Sequence, residues 1–337
     1  MSTLELDIVV TRGAVVESRH RVHGVVLALD GHLVAQAGDP MLVTWWRSCA
    51  KFFQAMPFLE SGGFDDLGWG HRELALACAS HGGEPEHVAV AAAMLRDLEL
   101  EEGDLACGPH EPLSARGARI ARESGERLTR LHNNCSGKHA AMLASARAHG
   151  AETAGYERID HAVQRACTTA VAVWTGLPSE RLLTAIDGCG VVVYGLPLVH
   201  MAQAYSRLGA AAEKGSEIPS RLLAAIRAEP HLFGGTERFD TVLLEETAGQ
   251  VIAKVGAEGV HTVSIPSRGW GLCIKVEDGA LRAQHAAVLC ALQQLGILPD
   301  PLPARLAEFL SRPIRNTRGE VVGQILPAAH WAATERS

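Results

Sequence analysis

Arg47-Ser48-Cys49-Ala50-Lys51-Phe52-Phe53-Gln54-Ala55-Met56 sets a Ser-x-x-Lys pair at the front of an apolar run. If the run is helical, Ser48 and Lys51 lie one turn apart on the same face, with hydroxyl and amine in mutual reach. A lysine there can act as a base once it is neutral, and enclosure by Trp45, Trp46, Phe52 and Phe53 would disfavour its charged form. The start of a helix also carries unpaired N–H groups and partial positive charge, which would stabilise an alkoxide on Ser48 or an oxyanion beside it. The plainer alternative is a capping serine followed by a solvated surface lysine, because Ser-x-x-Lys recurs by chance. The rest of the chain has to choose between them.

Upstream, residues 6–10, 23–29 and 32–37 read as strands, the last two joined by an Asp30-Gly31 hairpin signal. Downstream, nearly everything to about residue 250 has helical period and punctuation: 72–79, 85–98, 114–131, 140–149, 161–174, 198–208 and 219–228. Three loops interrupt this region: Ser80-His81-Gly82-Gly83, His132-Asn133-Asn134-Cys135-Ser136-Gly137-Lys138-His139, and Asp187-Gly188-Cys189-Gly190. Their Gly and Asn residues predict sharp turns with side chains thrown outward. Strands return at 251–253, 260–265 and 271–276, followed by a helix over 281–295, a proline-rich link and a last strand pair around Arg318-Gly319. The expected fold is α/β of the α+β type, one domain over 1–337. A mixed, mainly antiparallel sheet would be built from both chain ends (about 1–45 and 250–337), with a helical lobe (46–249) inserted between them. A small-molecule cleft between lobe and sheet is the expected place for a site.

With 47% hydrophobic and 20% charged residues, the composition is that of an ordinary globular protein. The net charge of −7 is spread without a basic cluster or acidic tail, which argues against nucleic acid or a membrane surface as partner. The start, Met1-Ser2-Thr3-Leu4-Glu5-Leu6-Asp7, has neither a basic leader nor an apolar segment, so a cytoplasmic location is expected. There the eight cysteines should be reduced thiols used for packing, metal binding or catalysis. Cys78 and Cys167 lie on apolar helix faces and read as core; Cys135 and Cys189 sit in polar, Gly-bearing loops.

A Ser-x-x-Lys, a later loop led by Ser80 and a Lys-x-Gly at Lys254-Val255-Gly256 follow the order of serine β-lactamases and penicillin-binding proteins. Ser80-His81-Gly82 lacks the Asn of their loop motif, and Val255 replaces the Thr or Ser of their strand motif, which argues against penicillin recognition. The longer strings, Arg47-Ser48 with Lys51-Phe52-Phe53-Gln54-Ala55, the three loops above, and Lys254-Val255-Gly256-Ala257-Glu258-Gly259-Val260, resemble the L-asparaginase II family, the class 3 or rhizobial-type asparaginases. That resemblance implies a serine β-lactamase-like fold, a homodimer, and hydrolysis of L-asparagine to L-aspartate and ammonia. It further implies two Ser-Lys tandems and a zinc ion held by Cys135, Lys138 and Cys189. Ser48 would be the nucleophile with Lys51 as its base, and Ser80 would pair with Lys254, with Lys275 a second candidate. Arg47, His139 and Asp187 could hold the substrate's charges or simply anchor their loops. The oxyanion would be met by the Ser48 N–H and, by strand analogy, the Ala257 N–H. Two other readings stay open: a glutaminase or other small amidase, and a non-catalytic zinc or amino-acid binding protein.

Overall fold

The computed structural model describes residues 2–125 and 127–334. It divides into two compact units: the first holds 1–45, 196–210 and 246–337, the second 46–195 and 211–245.

In the first unit, a six-stranded sheet runs in the order Ser2–Thr3, Leu33–Ala37, Val22–Leu27, Trp270–Val276, Val260–Ile265, Ile252–Val255. Both ends of the chain contribute, as the alternation at 23–37 and 251–276 predicts. Only the short Ser2–Thr3 strand pairs in parallel; the other neighbours are antiparallel. The Asp30-Gly31 hairpin is present, with Gly31 at φ 85° and the Asp30 carboxylate accepting the His32 N–H at 2.9 Å. A second sheet, which the alternation did not separate from the first, runs Arg312–Arg315, Val321–Pro327, Ile8–Arg12, Val15–His20. Its strand Val15–His20 was missed because residues 15–19 alternate between exposed and half-buried and carry Glu17, Ser18 and Arg19 in place of an apolar face. The start of the helix Leu198–Glu213 belongs to this unit, where Gly271 lets a strand approach it so closely that a Cβ would lie 1.9 Å from Ala202 O.

The second unit is built round the helix Lys51–Glu60, of which residues 51–59 are all buried. Helices His71–Cys78, Ser136–Ala148 and Ala162–Thr175 pack on it, so a sequence apolar on every face becomes a core helix. Trp46 stacks on Phe53 at 5.1 Å and Phe52 meets Phe233 at 5.8 Å. Trp45, expected among these aromatics, is 39% exposed. The helix expected over 114–131 ends early: it spans Ala115–Ser124 and stops at Gly125, whose φ of 65° no helix accommodates. Leu183–Ile186 forms a strand paired with Val192–Pro197 round the Asp187-Gly190 turn.

The three loops correct the sequence reading more deeply, because their side chains point inward. Ser80, His81, His132, Asn133, Cys135 and Cys189 are all buried, and residues 136–139 form the first turn of the helix Ser136–Ala148. Polar loops can enter a core when their hydrogen bonds are met there. The Asn133 carboxamide accepts the Cys135 N–H at 2.9 Å and donates to Gly108 O at 2.8 Å, while His81 N–H donates to Asn134 O at 3.2 Å.

Gly137 is fixed by close approach. A Cβ there would stand 2.6 Å from Leu76 O on the neighbouring helix, a backbone atom that cannot swing aside. Gly137→Ala should therefore destabilise the protein by about 1–3 kcal/mol. An unchanged urea midpoint would show that the helices part without cost.

Candidate active site

Arg47 to Ala50 form a short 3-10 turn that runs directly into the buried helix. The turn is pinned by Trp46 N–H to Tyr194 O at 2.8 Å, and it begins with Arg47 at φ 54°. A left-handed arginine is strained, and such strain persists only where surroundings enforce it. Here the enforcing contact is an ion pair: Arg47 Nε donates to Asp187 Oδ1 at 2.8 Å. Burial pushes the Asp187 carboxyl up, but Lys138, Arg47 and the Gly188 N–H outweigh it and hold the group below its ordinary value. Ser48 therefore sits half-exposed in a constrained turn, one residue beyond a fixed arginine.

Lys51 is 1% exposed. Its Nζ donates to Ala79 O, to Ser80 Oγ at 3.1 Å and to Cys135 Sγ at 3.2 Å. Helical spacing put Lys51 against Ser48, but among the described residues the serine it bonds is Ser80. The cause is desolvation: a buried amine needs hydrogen-bond partners, and the carbonyl and sulfur of two inward-facing loops provide them.

The Cys135 thiol loses its proton more readily than an ordinary thiol. A hydrogen bond from Cys189 is the largest cause, burial opposes it, and Lys51 and Lys138 reinforce it, so its pKa lies well below the ordinary thiol value. The partner, Cys189, is pushed the other way, first by keeping the shared proton and then by burial. By contrast, burial pushes Cys107 and Cys167 each up to about 12, the behaviour of inert core thiols. Lys138 Nζ donates to Cys189 Sγ at 2.9 Å. Burial works against its charge, but Cys189, Cys135 and Asp187 raise its pKa above the ordinary lysine value.

Cys135, Cys189 and Lys138 thus meet at one buried point. Two sulfurs and an amine nitrogen fit a zinc ion by donor type, provided Lys138 and Cys189 release their protons to it. Among the described residues no three His, Cys, Asp or Glu side chains gather as a metal group, so the lysine would be indispensable as third ligand.

His139 Nδ1 lies 2.6 Å from the hydroxyl of Tyr156, which also accepts the Ala106 N–H at 2.9 Å. Burial, then Lys138 and Lys51, push the His139 pKa well down, so the ring is neutral. Lys254 and Ala257 belong to the first unit. Lys254 is buried on an edge strand opposite Thr262 and donates to Val255 O at 3.0 Å. Lys275 donates to Glu258 O at 2.7 Å, Val276 O and Glu277 O, the pattern of a lysine that ties down a turn.

Residues that no motif announced hold the Ser80 loop in place. His81 Nε2 lies 2.9 Å from Ser136 Oγ, which donates onward to Leu131 O, while Gly83 N–H donates to His81 Nδ1 at 3.1 Å. His87 stacks on His81 at 4.9 Å. Glu84 accepts from Thr236 N–H and hydroxyl, both at 2.8 Å, and from Arg116 at 2.6 Å. The sequence signal for His87 was its place three residues after Glu84, in the first turn of the helix Pro85–Asp97. Tyr156 had no signal at all.

A half-exposed serine in a strained turn, a buried lysine on a second serine and an arginine–carboxylate pair can together carry out acyl transfer on a small polar substrate. The class can be narrowed further. The family model for L-asparaginase II matches residues 8–327, nearly the whole chain, and the chain belongs to this family of amidohydrolases. No curated protein sequence matches it. Among solved structures it is similar to Mglu in its native form, with 12% identity and a TM-score of 0.44 over 81% of this chain. The chain spans 63% of that protein's length. It is also similar to a putative β-lactamase from Bacteroides dorei, with 9% identity, a TM-score of 0.46, and 82% and 94% of the two chains covered. A β-lactamase from Mycobacterium bovis shows 12% identity, a TM-score of 0.43, and 81% and 94% coverage.

The carboxylates under the Ser80 loop give a pH dependence. Burial raises the Glu84 pKa, but hydrogen bonds from Thr236, Ser114 and Arg116 prevail and lower it; Arg116 holds Glu86 at about 2. Depressed folded values mean that the stabilisation is complete above 4.5, the ordinary value, and is lost as pH falls toward 2. Glu84→Gln should be less stable than wild type by about 1–3 kcal/mol at pH 6, and the gap should narrow at pH 3. Urea unfolding at both values tests this, and a gap independent of pH would count against it.

Proposed function

We propose that the chain hydrolyses L-asparagine to L-aspartate and ammonia through an acyl-enzyme on Ser48. The observation that carries the reading is the turn itself. Arg47 donates through Nε and Asp187 accepts through Oδ1, which leaves guanidinium Nη groups and Oδ2 to meet the α-carboxylate and α-ammonium of a free amino acid. A side-chain amide on such a substrate would then stand at the adjacent Ser48. Ser48 attacks the amide carbon, a lysine base takes its proton, and the Ser48 N–H meets the oxyanion. That proton passes to the amide nitrogen, which leaves as ammonia, and water resolves the β-aspartyl ester. The resemblance gives Lys254 the proton delivery and Ala257 a second oxyanion N–H; both assignments rest on the sequence motif alone. Cys135, Lys138 and Cys189 would hold zinc, whose charge would orient the substrate. The same reading carries a cytoplasmic homodimer.

A second reading makes Ser80 the nucleophile, because Ser80 is the serine that Lys51 bonds at 3.1 Å. Against it, Ser80 is 5% exposed whereas Ser48 is half-exposed. The substrate itself is separated from glutamine by one methylene, which a pocket discriminates by about 10–200-fold.

Ammonia release from asparagine and from glutamine, measured separately, decides the substrate. Ser48→Ala should abolish release with the circular dichroism spectrum intact, and Lys51→Ala should nearly do so, since residues that act as a unit do not lose activity additively. A trapped acyl group on Ser80 would overturn the assignment in favour of the second reading. Cys135→Ala and Cys189→Ala should lower zinc content and raise KM more than they lower kcat; protein purified without chelator and free of zinc would defeat the metal site.

A further inference from the structure

The second unit contains a hollow of about 350 Å3 that the reaction scheme does not use, and none of its lining residues belongs to the Ser48 turn. Its lining comes from four short stretches of chain: Arg72 on the helix His71–Cys78, Glu84, Glu86 and His87 at the start of Pro85–Asp97, Arg116 on Ala115–Ser124, and Glu229 just before Pro230–Phe233. At about 350 Å3 it lies at the small end of ligand cavities, which span about 300–1,000 Å3. That is room for a metabolite the size of an amino acid.

The walls are built by buried hydrogen bonds. His87 Nδ1 accepts the Glu84 N–H at 3.1 Å, and its Nε2 donates to His231 O at 2.8 Å, so a single ring joins two of the stretches. Glu84 accepts from Thr236 and Arg116, and Arg116 also donates to Glu86 at 2.9 Å. The charges of Glu84, Glu86 and Arg116 are thereby spent on one another. Two charges in the lining are not spent: among the described residues, neither the Arg72 guanidinium nor the Glu229 carboxylate makes a side-chain hydrogen bond or ion pair, with each other or with any other group. An exposed arginine in that condition is ordinary, because water serves it. Glu229 is half-buried, however, and a carboxylate partly withdrawn from water gains from a cation.

We propose that this hollow binds a free amino acid whose side chain carries no carboxylate, with Arg72 meeting the α-carboxylate and Glu229 the α-ammonium. One unspent cation and one unspent anion facing a shared space complement a zwitterion, and a ligand with a single charge would leave one of them unanswered. The lining holds three carboxylates against two guanidiniums, so an acidic side chain would meet an excess of negative charge. Leu232, buried in the same lining, offers an apolar contact in its place. Because Glu84 and His87 also hold the Ser80 loop, an occupant would stabilise the folded form of that loop. The proposal does not depend on the reaction assigned to Ser48.

The test is calorimetric titration of the whole protein with L-leucine, which has no amide to hydrolyse. 4-Methylpentanoate and isopentylamine keep the leucine side chain but each lack one α charge, and both should bind more weakly than leucine. Arg72→Gln and Glu229→Gln should each weaken leucine binding about three- to tenfold, the range for a partly exposed charged hydrogen bond. Arg72→Lys, which keeps the charge, should recover most of the affinity, and an unchanged urea midpoint should show that each variant is folded. Amide hydrogen exchange over residues 80–87 should slow when leucine is added to the wild type and not when it is added to Glu229→Gln. Wild-type protein that binds no leucine overturns the proposal. So does leucine affinity that is unchanged in both Arg72→Gln and Glu229→Gln, or 4-methylpentanoate that binds as tightly as leucine. Leucine binding that follows Arg72 and Glu229 in a protein releasing no ammonia from asparagine upholds this site and refutes the proposed reaction.

Discussion

A lysine amine inside the core is the constraint from which the second unit is arranged. Lys51 sits at the first turn of a helix whose other buried residues are apolar apart from Gln54, and a polar group in such surroundings is tolerated only if its hydrogen bonds are met. Ala79 O, Ser80 Oγ and Cys135 Sγ meet them, so the Ser80 and Cys135 loops are drawn onto the same helix end. The ammonium of Lys138 is answered by Cys189 and Asp187, and Asp187 in turn holds Arg47 in its left-handed turn. Along this path each polar member is a hydrogen-bond or charge partner of the next. Removing one leaves its neighbour as an uncompensated buried charge, which is why such networks behave as units.

The scaffolding around this path is neutral by design of its hydrogen bonds. His81 is fully buried, and burial, then His87 and Lys51, push its pKa well down. A neutral ring can accept from Gly83 and donate to Ser136 at once, which a cation could not. The loop carrying Ser80 is therefore tied to the helix start carrying Cys135 without adding charge between them. His139 follows the same rule beside Lys138.

Much of the frame was legible in the sequence, because it is written in local patterns. Alternation and an Asp-Gly turn gave the strands at 23–37, and the apolar run after Ser48 gave the core helix. The motif strings gave the loops and their order. Direction was what local pattern could not supply. Gly, Asn, Ser and His in a loop read as turn residues facing solvent, yet at 80–84 and 132–139 they face inward, because partners distant in sequence meet their hydrogen bonds: Thr236 for Glu84, Gly108 for Asn133, Cys189 for Lys138. The pairing of Lys51 with Ser80 was hidden for the same reason. Spacing of three predicts a neighbour along the helix, and it cannot register an acceptor that a loop delivers from 29 residues away. The Leu183–Ile186 hairpin was legible, since Asp187-Gly188 is a hairpin signal, but the flanking helices drew the reading toward a loop.

Cys135 raises the question of why a low-pKa thiol beside two lysines should not itself be the nucleophile, since a thiolate is intrinsically stronger than a serine hydroxyl. Access and electron density answer it. The sulfur is 5% exposed and already accepts from Lys51 at 3.2 Å and from Cys189. A lone pair committed to two donors in a buried place is stabilised as an anion, and what stabilises the anion lowers its reactivity. Ser48 is the opposite case: its hydroxyl is intrinsically weak, but it lies half-exposed in a turn that its neighbours hold rigid. The sulfur is then best understood as the hydrogen-bond acceptor of Lys51 and the counter-charge of Lys138, which lets both be buried. Any role it takes toward a metal follows from that same electron density, which a soft cation could share in place of the Lys138 and Cys189 protons.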